Sequence, residues 1–111
     1  MSRTSQAVLL AGAMALFVVR LGFAQGTEVA QAVTHAQLAV AQGKARHADS
    51  LVVHAKEALT HAQAADKANS SIHTQAAIKS LNEAIEHGKL GHADIATKRA
   101  QVALAHLQMI K

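Results

Sequence analysis

The sequence of 111 residues contains no cysteine, proline, tryptophan or tyrosine, and only two phenylalanines. Without cysteine, the chain can form neither a disulfide bond nor a thiolate zinc site nor a cysteine nucleophile. The length predicts one small domain and excludes most multidomain enzymes. Both phenylalanines, Phe17 and Phe23, lie near the N-terminus, and no cluster of lysine and arginine follows them. We therefore expect no nucleic-acid partner, because stacked bases would find no aromatic platform.

The N-terminal stretch has the pattern of a secretory signal peptide. Arg3 precedes an apolar run, and the small residues Gly22 and Ala24 stand at the spacing that a signal peptidase reads. We predict cleavage after Ala24, which divides the chain into a signal peptide over residues 1–24 and a domain over residues 25–111. The alternative is a retained membrane tether. Because about 13 apolar residues are too few to cross a bilayer as a helix, we expect no membrane partner after cleavage.

The rest of the chain predicts helices, because it is rich in alanine, lacks proline and repeats its apolar residues at steps of three and four. Thr27 is expected to cap a first helix that ends near Gln42, and a second helix is expected from about Asp49 to Lys67. A polar break at residues 69–71 precedes the third helix, which reaches His87. The fourth helix is expected from about Asp94 to the end. Gly43 and Gly88 are expected just after the first and third helices. Short connections make neighbouring helices antiparallel, so we predict an all-α, up-down-up-down four-helix bundle.

The two halves of the predicted bundle resemble each other. The segment GKARHAD at residues 43–49 returns 45 residues later as GKLGHAD at residues 88–94, which indicates two similar helical hairpins. Core seams are predicted in the second and fourth helices, at Leu51, Ala55, Ala58, Ala62 and Ala65, and at Ala96, Ala100, Ala103, Leu107 and Ile110. Alanine buries little area, so we expect modest stability. We expect a monomer, although the pattern leaves open whether hairpins of one chain or of two chains close the bundle.

All eight histidines lie on a sevenfold register that runs through the four helices. Its positions are Glu28, His35 and Gln42 in the first helix, His47, His54 and His61 in the second, His73, Ser80 and His87 in the third, and His92, Arg99 and His106 in the fourth. Seven residues are almost two helical turns, so successive positions share a face and rise by about 10.5 Å. Because a metal–nitrogen bond is only about 2 Å long, one ion must be held by neighbouring helices.

An antiparallel hairpin pairs these positions across its two helices. The predicted pairs are Gln42 with His47, His35 with His54 and Glu28 with His61 in the first hairpin, and His87 with His92, Ser80 with Arg99 and His73 with His106 in the second. Glu57 and Glu83 lie three or four residues from a histidine and can complete a ligand set or orient a ring. The permanent charge of Arg99 is expected to weaken metal binding in its layer. The predicted metal ligands are His35, His47, His54, His61, His73, His87, His92, His106 and Glu28.

Three segments resemble the small metal-binding protein family: HAKEALTHA at residues 54–62, EHGK at residues 86–89 and ATKRAQ at residues 96–101. The resemblance covers essentially all of residues 25–111. It implies a periplasmic, cysteine-free four-helix bundle whose histidines bind copper and other divalent metals at several sites. This sequence departs from the family pattern by having Gln42, Ala76, Ser80 and Arg99 where the family commonly has histidine, which implies a lower metal capacity.

Imidazoles with occasional carboxylates suit Cu(II), Ni(II) and Zn(II), and the usual affinity order favours Cu(II). Only Met109 offers a thioether beyond the signal peptide, so no thioether-rich Cu(I) site is expected. We interpret the chain as a protein for metal buffering, storage or tolerance. The alternative is a structural or interaction bundle without a physiological metal, since an alanine-rich core would gain from further burial. An enzyme is not expected, because the sequence has no catalytic triad, phosphate-binding glycine loop or His-Glu-x-x-His motif.

Overall fold

The computed structural model describes residues 24–111, which form four helices and, within that range, no strand. The helices are α1 (Ala24–Lys44), α2 (Ala48–Ala68), α3 (Ile72–Lys89) and α4 (Ala93–Gln108). The predicted all-α bundle of two helical hairpins is therefore confirmed. The predicted signal peptide lies outside the described residues, apart from Ala24. None of the four described helices combines the length and the apolar character needed to cross a membrane.

Each helix packs against two neighbours, and α2 and α4 also touch across the bundle, which closes the bundle within one chain. Helix α1 contacts α2 and α4, and α3 contacts the same two helices from the other side. Because the connections are short, consecutive helices run in opposite directions, as the sequence predicts. The interfaces between helices of one hairpin, α1 with α2 and α3 with α4, are the faces along which the histidines lie.

The core is built mainly from alanine, which lets the helix backbones approach closely. The predicted seam residues are fully buried at Leu51, Ala55, Ala58, Ala62 and Ala65 in α2 and at Ala96, Ala100, Ala103 and Leu107 in α4. Ile110, which was expected to extend the second seam, packs against the core but is only partly buried, and it lies beyond the end of α4 at Gln108. Larger fully buried side chains are few, so the apolar stabilisation per residue is small.

The turn inside each hairpin has the same backbone conformation. Arg46 has φ 65° and Gly91 has φ 79°, and these left-handed residues stand 45 positions apart in the repeat. A left-handed residue just beyond a helix ends the helix, because it lets backbone N–H groups beyond the helix donate to the last carbonyl groups of the helix. The prediction that Gly43 and Gly88 follow the helix ends is wrong, because both glycines lie inside α1 and α3 and the chain turns three residues later.

Gly43 and Gly88 are instead buried where the two hairpins meet. A Cβ atom at Gly88 would lie 2.5 Å from Val52 Cγ2 in α2, and a Cβ atom at Gly43 would overlap the Thr97 side chain in α4. Val52 and Thr97 are themselves equivalent in the repeat, so each glycine opens the same space for the opposite hairpin. The close approach of the hairpins thus depends on the missing side chains.

The link between the hairpins is held by a cluster of hydrogen bonds at the end of α2. Ser71 Oγ accepts from the Thr74 backbone N–H (3.1 Å), and Thr74 Oγ1 accepts from the Ser71 N–H (2.9 Å) and donates to Asp66 Oδ1 (2.5 Å). This capping box begins α3. The hydroxyl groups of Thr74 and, next, Ser70 lower the pKa of the Asp66 carboxyl. Thr27, the expected cap of the first helix, lies inside α1 because that helix begins at Ala24.

Candidate metal centre

The first hairpin brings two histidines and one carboxylate together near its middle. Glu57 Oε1 lies 3.2 Å from Nδ1 of His35 and 3.6 Å from Nδ1 of His54, and the two imidazole rings lie 5.9 Å apart. One nitrogen of each histidine and one oxygen of Glu57 all lie within 4.8 Å of one another. Two ligands of one ion are at most about 4.2 Å apart, so a side-chain shift of under about 1 Å would close this set around a metal.

Each histidine of this cluster has a buried Nδ1 atom without a hydrogen bond. Although both lie near Glu57, neither Nδ1 of His35 nor that of His54 is aligned with a hydrogen-bond partner in residues 24–111. A buried polar atom without a partner costs about 1–3 kcal/mol, which a metal ion would relieve. The two imidazoles are 21% and 27% exposed, and the Glu57 side chain is 51% exposed. The carboxylate therefore provides the side open to solvent.

Local sequence explains why these three groups meet. His54 and Glu57 are three residues apart on α2, so both project from the same face of that helix. His35 comes from α1, where the buried Ala32, Ala36 and Ala39 face the alanine seam of α2. Since alanine on both sides keeps the two helices close, imidazoles just beside the seam reach each other across the interface.

A second pair lies next to this cluster, towards the other end of the hairpin. His61 Nδ1 donates a hydrogen bond of 2.6 Å to Glu28 Oε1, so the predicted pairing of α1 with α2 at this position is observed. The His61 ring also stacks on His35, at a centroid distance of 5.8 Å and an interplanar angle of 3°. A carboxylate that holds one nitrogen fixes the ring orientation and leaves the other nitrogen as a potential ligand.

The second hairpin brings together two histidines at its open end. His73 Nδ1 and His106 Nδ1 lie 3.1 Å apart, at hydrogen-bond distance, and the rings are 5.3 Å apart. Two nitrogens at about 2 Å from a single ion would be about 3.1 Å apart at a bond angle of about 100°. The spacing of this pair is therefore already that of two adjacent ligands of one metal.

The turns place a further pair in each hairpin. The His47 N–H donates to the Gln42 carbonyl oxygen (2.8 Å), and the His92 N–H donates likewise to the His87 carbonyl oxygen (2.9 Å). This bond across the helix end draws the two residues together. In the first turn the His47 ring also bonds to Gln42 Oε1 (3.1 Å).

In the second turn, the rings of His87 and His92 lie 5.8 Å apart. The Nδ1 atom of His87 is buried and has no hydrogen-bond partner among the described residues. His92, like His47 in the first turn, is an exposed residue at the start of its helix. The turn therefore carries a two-histidine pair with one half-buried and one exposed residue.

The middle position of the second hairpin differs from its prediction. Ser80 is buried and, within residues 24–111, forms no hydrogen bond with Arg99. The Nε of Arg99 instead lies 3.8 Å from Glu83 Oε1. Glu83 was expected near His87, but the arginine charge attracts it. Asp94, two residues after His92, lies 3.4 Å from the Arg46 guanidinium.

Glu57 is the residue that the predicted ligand set omitted. Its spacing of three from His54 made it a neighbour of that histidine, but spacing along one helix cannot show that the carboxylate also reaches His35 on another helix. The predicted ligands otherwise lie in the pairs described above. Their roles as ligands stay a prediction.

A comparison with protein-family models matches residues 2–110 to the model described as small metal-binding protein. A comparison with curated proteins finds no match. The family match spans nearly the whole sequence, including both hairpins and every histidine pair described above. The chain therefore belongs to the small metal-binding protein family.

Proposed function

We propose that this protein binds Cu(II), and more weakly Ni(II) and Zn(II), through histidines paired between helices. The cluster of His35, His54 and Glu57 is the observation that carries the proposal, because it places three ligand groups from two helices around one point. We further propose that the chain is exported to the periplasm by its N-terminal signal peptide and serves there in metal buffering, storage or tolerance.

The chemistry of the ligands supports copper as the leading ion. Imidazole nitrogens with a carboxylate oxygen are ligands of intermediate hardness, and among the divalent first-row metal ions Cu(II) binds such a ligand set most tightly. Glu57 contributes a negative charge to the cluster, which offsets part of the charge of a divalent ion. The same ligands also bind Ni(II) and Zn(II), so we expect these two ions to bind more weakly than Cu(II) but not to be excluded.

The distribution of the pairs supports buffering or storage over catalysis. Pairs of similar groups recur along both hairpins, at the turns and at the open ends, instead of meeting in one pocket of unlike groups. Several separate sites of similar chemistry raise capacity. A bound ion also joins two helices of an alanine-rich bundle, so metal binding is expected to stabilise the fold by mass action.

The test compares copper binding by the full chain and by two variants. His35→Ala combined with His54→Ala removes both imidazoles of the cluster. Ser80→Ala combined with Arg99→Ala changes the equivalent positions of the second hairpin and is the matched control. Calorimetric titration with Cu(II), together with metal analysis after dialysis, measures the stoichiometry.

We expect the histidine variant to lose one copper equivalent and the control to retain the wild-type stoichiometry. Circular dichroism of all three proteins verifies that the helices form without metal. Equal stoichiometry in the histidine variant and the wild type would exclude the cluster as a copper site.

A further inference from the structure

We propose that His73, His106 and Met109 form a binding site for Cu(I) at the open end of the second hairpin. This goes beyond the proposed function, because it adds a different oxidation state of copper and a thioether ligand. The site lies in the α3–α4 hairpin, whereas the carboxylate-containing cluster of His35, His54 and Glu57 lies between α1 and α2.

The two imidazoles are arranged as neighbouring ligands of one ion. Their Nδ1 atoms are 3.1 Å apart, which with metal–nitrogen bonds of about 2 Å corresponds to a bond angle of about 100°. A bent pair of this kind leaves the opposite side of the ion open for a third ligand. Both side chains are half-buried, so the pair can be reached from solvent.

Met109 is placed to supply that third ligand. Its backbone N–H donates to the His106 carbonyl oxygen (3.1 Å), so the two residues are one turn apart at the end of α4 and project to the same side. The Met109 side chain is 51% exposed and is not part of the core. Met109 and His73 line the same cavity of about 300 Å³, so Met109 lies on the side of the bundle where the imidazole pair is found.

The surroundings of this site favour a soft, singly charged ion. Within residues 24–111, neither His73 nor His106 has a carboxylate at ion-pair distance, whereas Glu57 and Glu28 contact the histidines of the first hairpin. Thioethers are soft ligands and select Cu(I) over divalent ions. Lys111 lines the same cavity, and its positive charge repels a divalent ion more than a monovalent one.

The experiment measures Cu(I) affinity of the full chain in the absence of oxygen, by competition with a chromophoric Cu(I) chelator. Met109→Leu removes the sulfur and keeps the size of the side chain, and Ile110→Leu changes a neighbouring wall residue without removing a ligand. We expect Met109→Leu to weaken Cu(I) binding by about tenfold. The Ile110→Leu control is expected to bind Cu(I) like the wild type.

X-ray absorption at the copper edge gives a second readout. The chain has no cysteine, so any sulfur bound to Cu(I) must come from one of its three methionines. A sulfur shell present in the wild type and lost in Met109→Leu would support the site. Unchanged Cu(I) affinity in Met109→Leu, or a sulfur shell that persists in this variant, would overturn it.

Cu(II) and Ni(II) stoichiometries, measured on the same proteins, separate this inference from the proposed function. We expect Met109→Leu to leave both unchanged. Weaker Cu(I) binding with an unchanged Cu(II) stoichiometry in Met109→Leu therefore concerns the Met109 site alone. Failure of Cu(II) to bind the wild type would instead contradict the proposed role of the His35–His54–Glu57 cluster.

Discussion

The two hairpins have turns of the same backbone conformation but differ in where their metal-binding groups lie. Both have a left-handed residue in the turn, and both bury a glycine against the opposite hairpin. In the first hairpin the richest cluster, His35 with His54 and Glu57, lies at mid-length. In the second, histidine pairs lie at the turn and at the open end, and the middle position holds the ion pair of Arg99 with Glu83.

The repeat therefore determines which positions meet across each hairpin, and the side chains at those positions determine whether they can bind a metal. The alanine seams and the turns bring equivalent positions together in both hairpins, whatever residues occupy them. At the middle position, two differences suffice to replace an imidazole pair by a buried serine and a permanent cation. The cation then attracts a carboxylate that would otherwise be available to a metal.

The first prediction tests this comparison by restoring an imidazole to the middle of the second hairpin. The Nε atom of Arg99 lies 3.8 Å from Glu83 Oε1, so position 99 faces this carboxylate. We expect Arg99→His to create a mixed histidine–carboxylate site with Glu83 and to add one copper equivalent at saturating Cu(II). Calorimetry and metal analysis measure the gain.

Arg99→Ala is the matched control, because it removes the same positive charge without supplying a ligand. It is expected to keep the wild-type stoichiometry. If Arg99→His and Arg99→Ala bound the same amount of copper, the ion pair would not be what separates the two hairpins.

Much of the fold follows from local rules that the sequence expresses directly. The three- and four-residue spacing of apolar residues predicts the seams of α2 and α4, since burial selects one face of each helix. The helix ends are less predictable, because the turn depends on a left-handed conformation at Arg46 that most residue types could adopt only at a cost. Glycine spacing pointed to Gly43 and Gly88, but these glycines serve packing between hairpins.

The histidine pairs could be predicted because a sevenfold register in an antiparallel hairpin leaves few pairing choices. Among the acidic partners, Glu28 was predicted beside His61, but the partners of Glu57 and Glu83 could not be predicted, because a carboxylate on a flexible side chain goes to the strongest nearby charge. Glu57 had histidines on two helices within reach, whereas Glu83 had Arg99. Which of these occurs depends on the arrangement across helices, and spacing along one helix does not contain that information.

A second, smaller prediction concerns the link between the two hairpins. Hydrogen bonds from Thr74 and Ser70 lower the pKa of Asp66 in the folded state below the ordinary aspartate value of 3.8. This carboxylate therefore stabilises the fold above that pH and loses its contribution as the pH falls through the lowered pKa. We expect Asp66→Asn to unfold at a lower temperature than the wild type at pH 7. The difference should narrow as the pH falls below about 5.

Thermal unfolding followed by circular dichroism at several pH values measures this difference. Asp49→Asn is the control, since the side chain of Asp49 forms no hydrogen bond within residues 24–111. This variant is expected to change the melting temperature less. Copper stoichiometry should be the same in Asp66→Asn and the wild type. A difference in melting temperature that stays constant with pH would contradict the role given to the Asp66 carboxylate.

The most direct measurement is anomalous diffraction at the copper absorption edge from crystals of the Cu(II) complex. We predict an anomalous peak between α1 and α2, at about 2.0–2.2 Å from a nitrogen of His35 and a nitrogen of His54. Copper found only at the exposed rings of His47 and His92, with no ion between His35 and His54, would contradict the claim that imidazoles from two helices hold one metal.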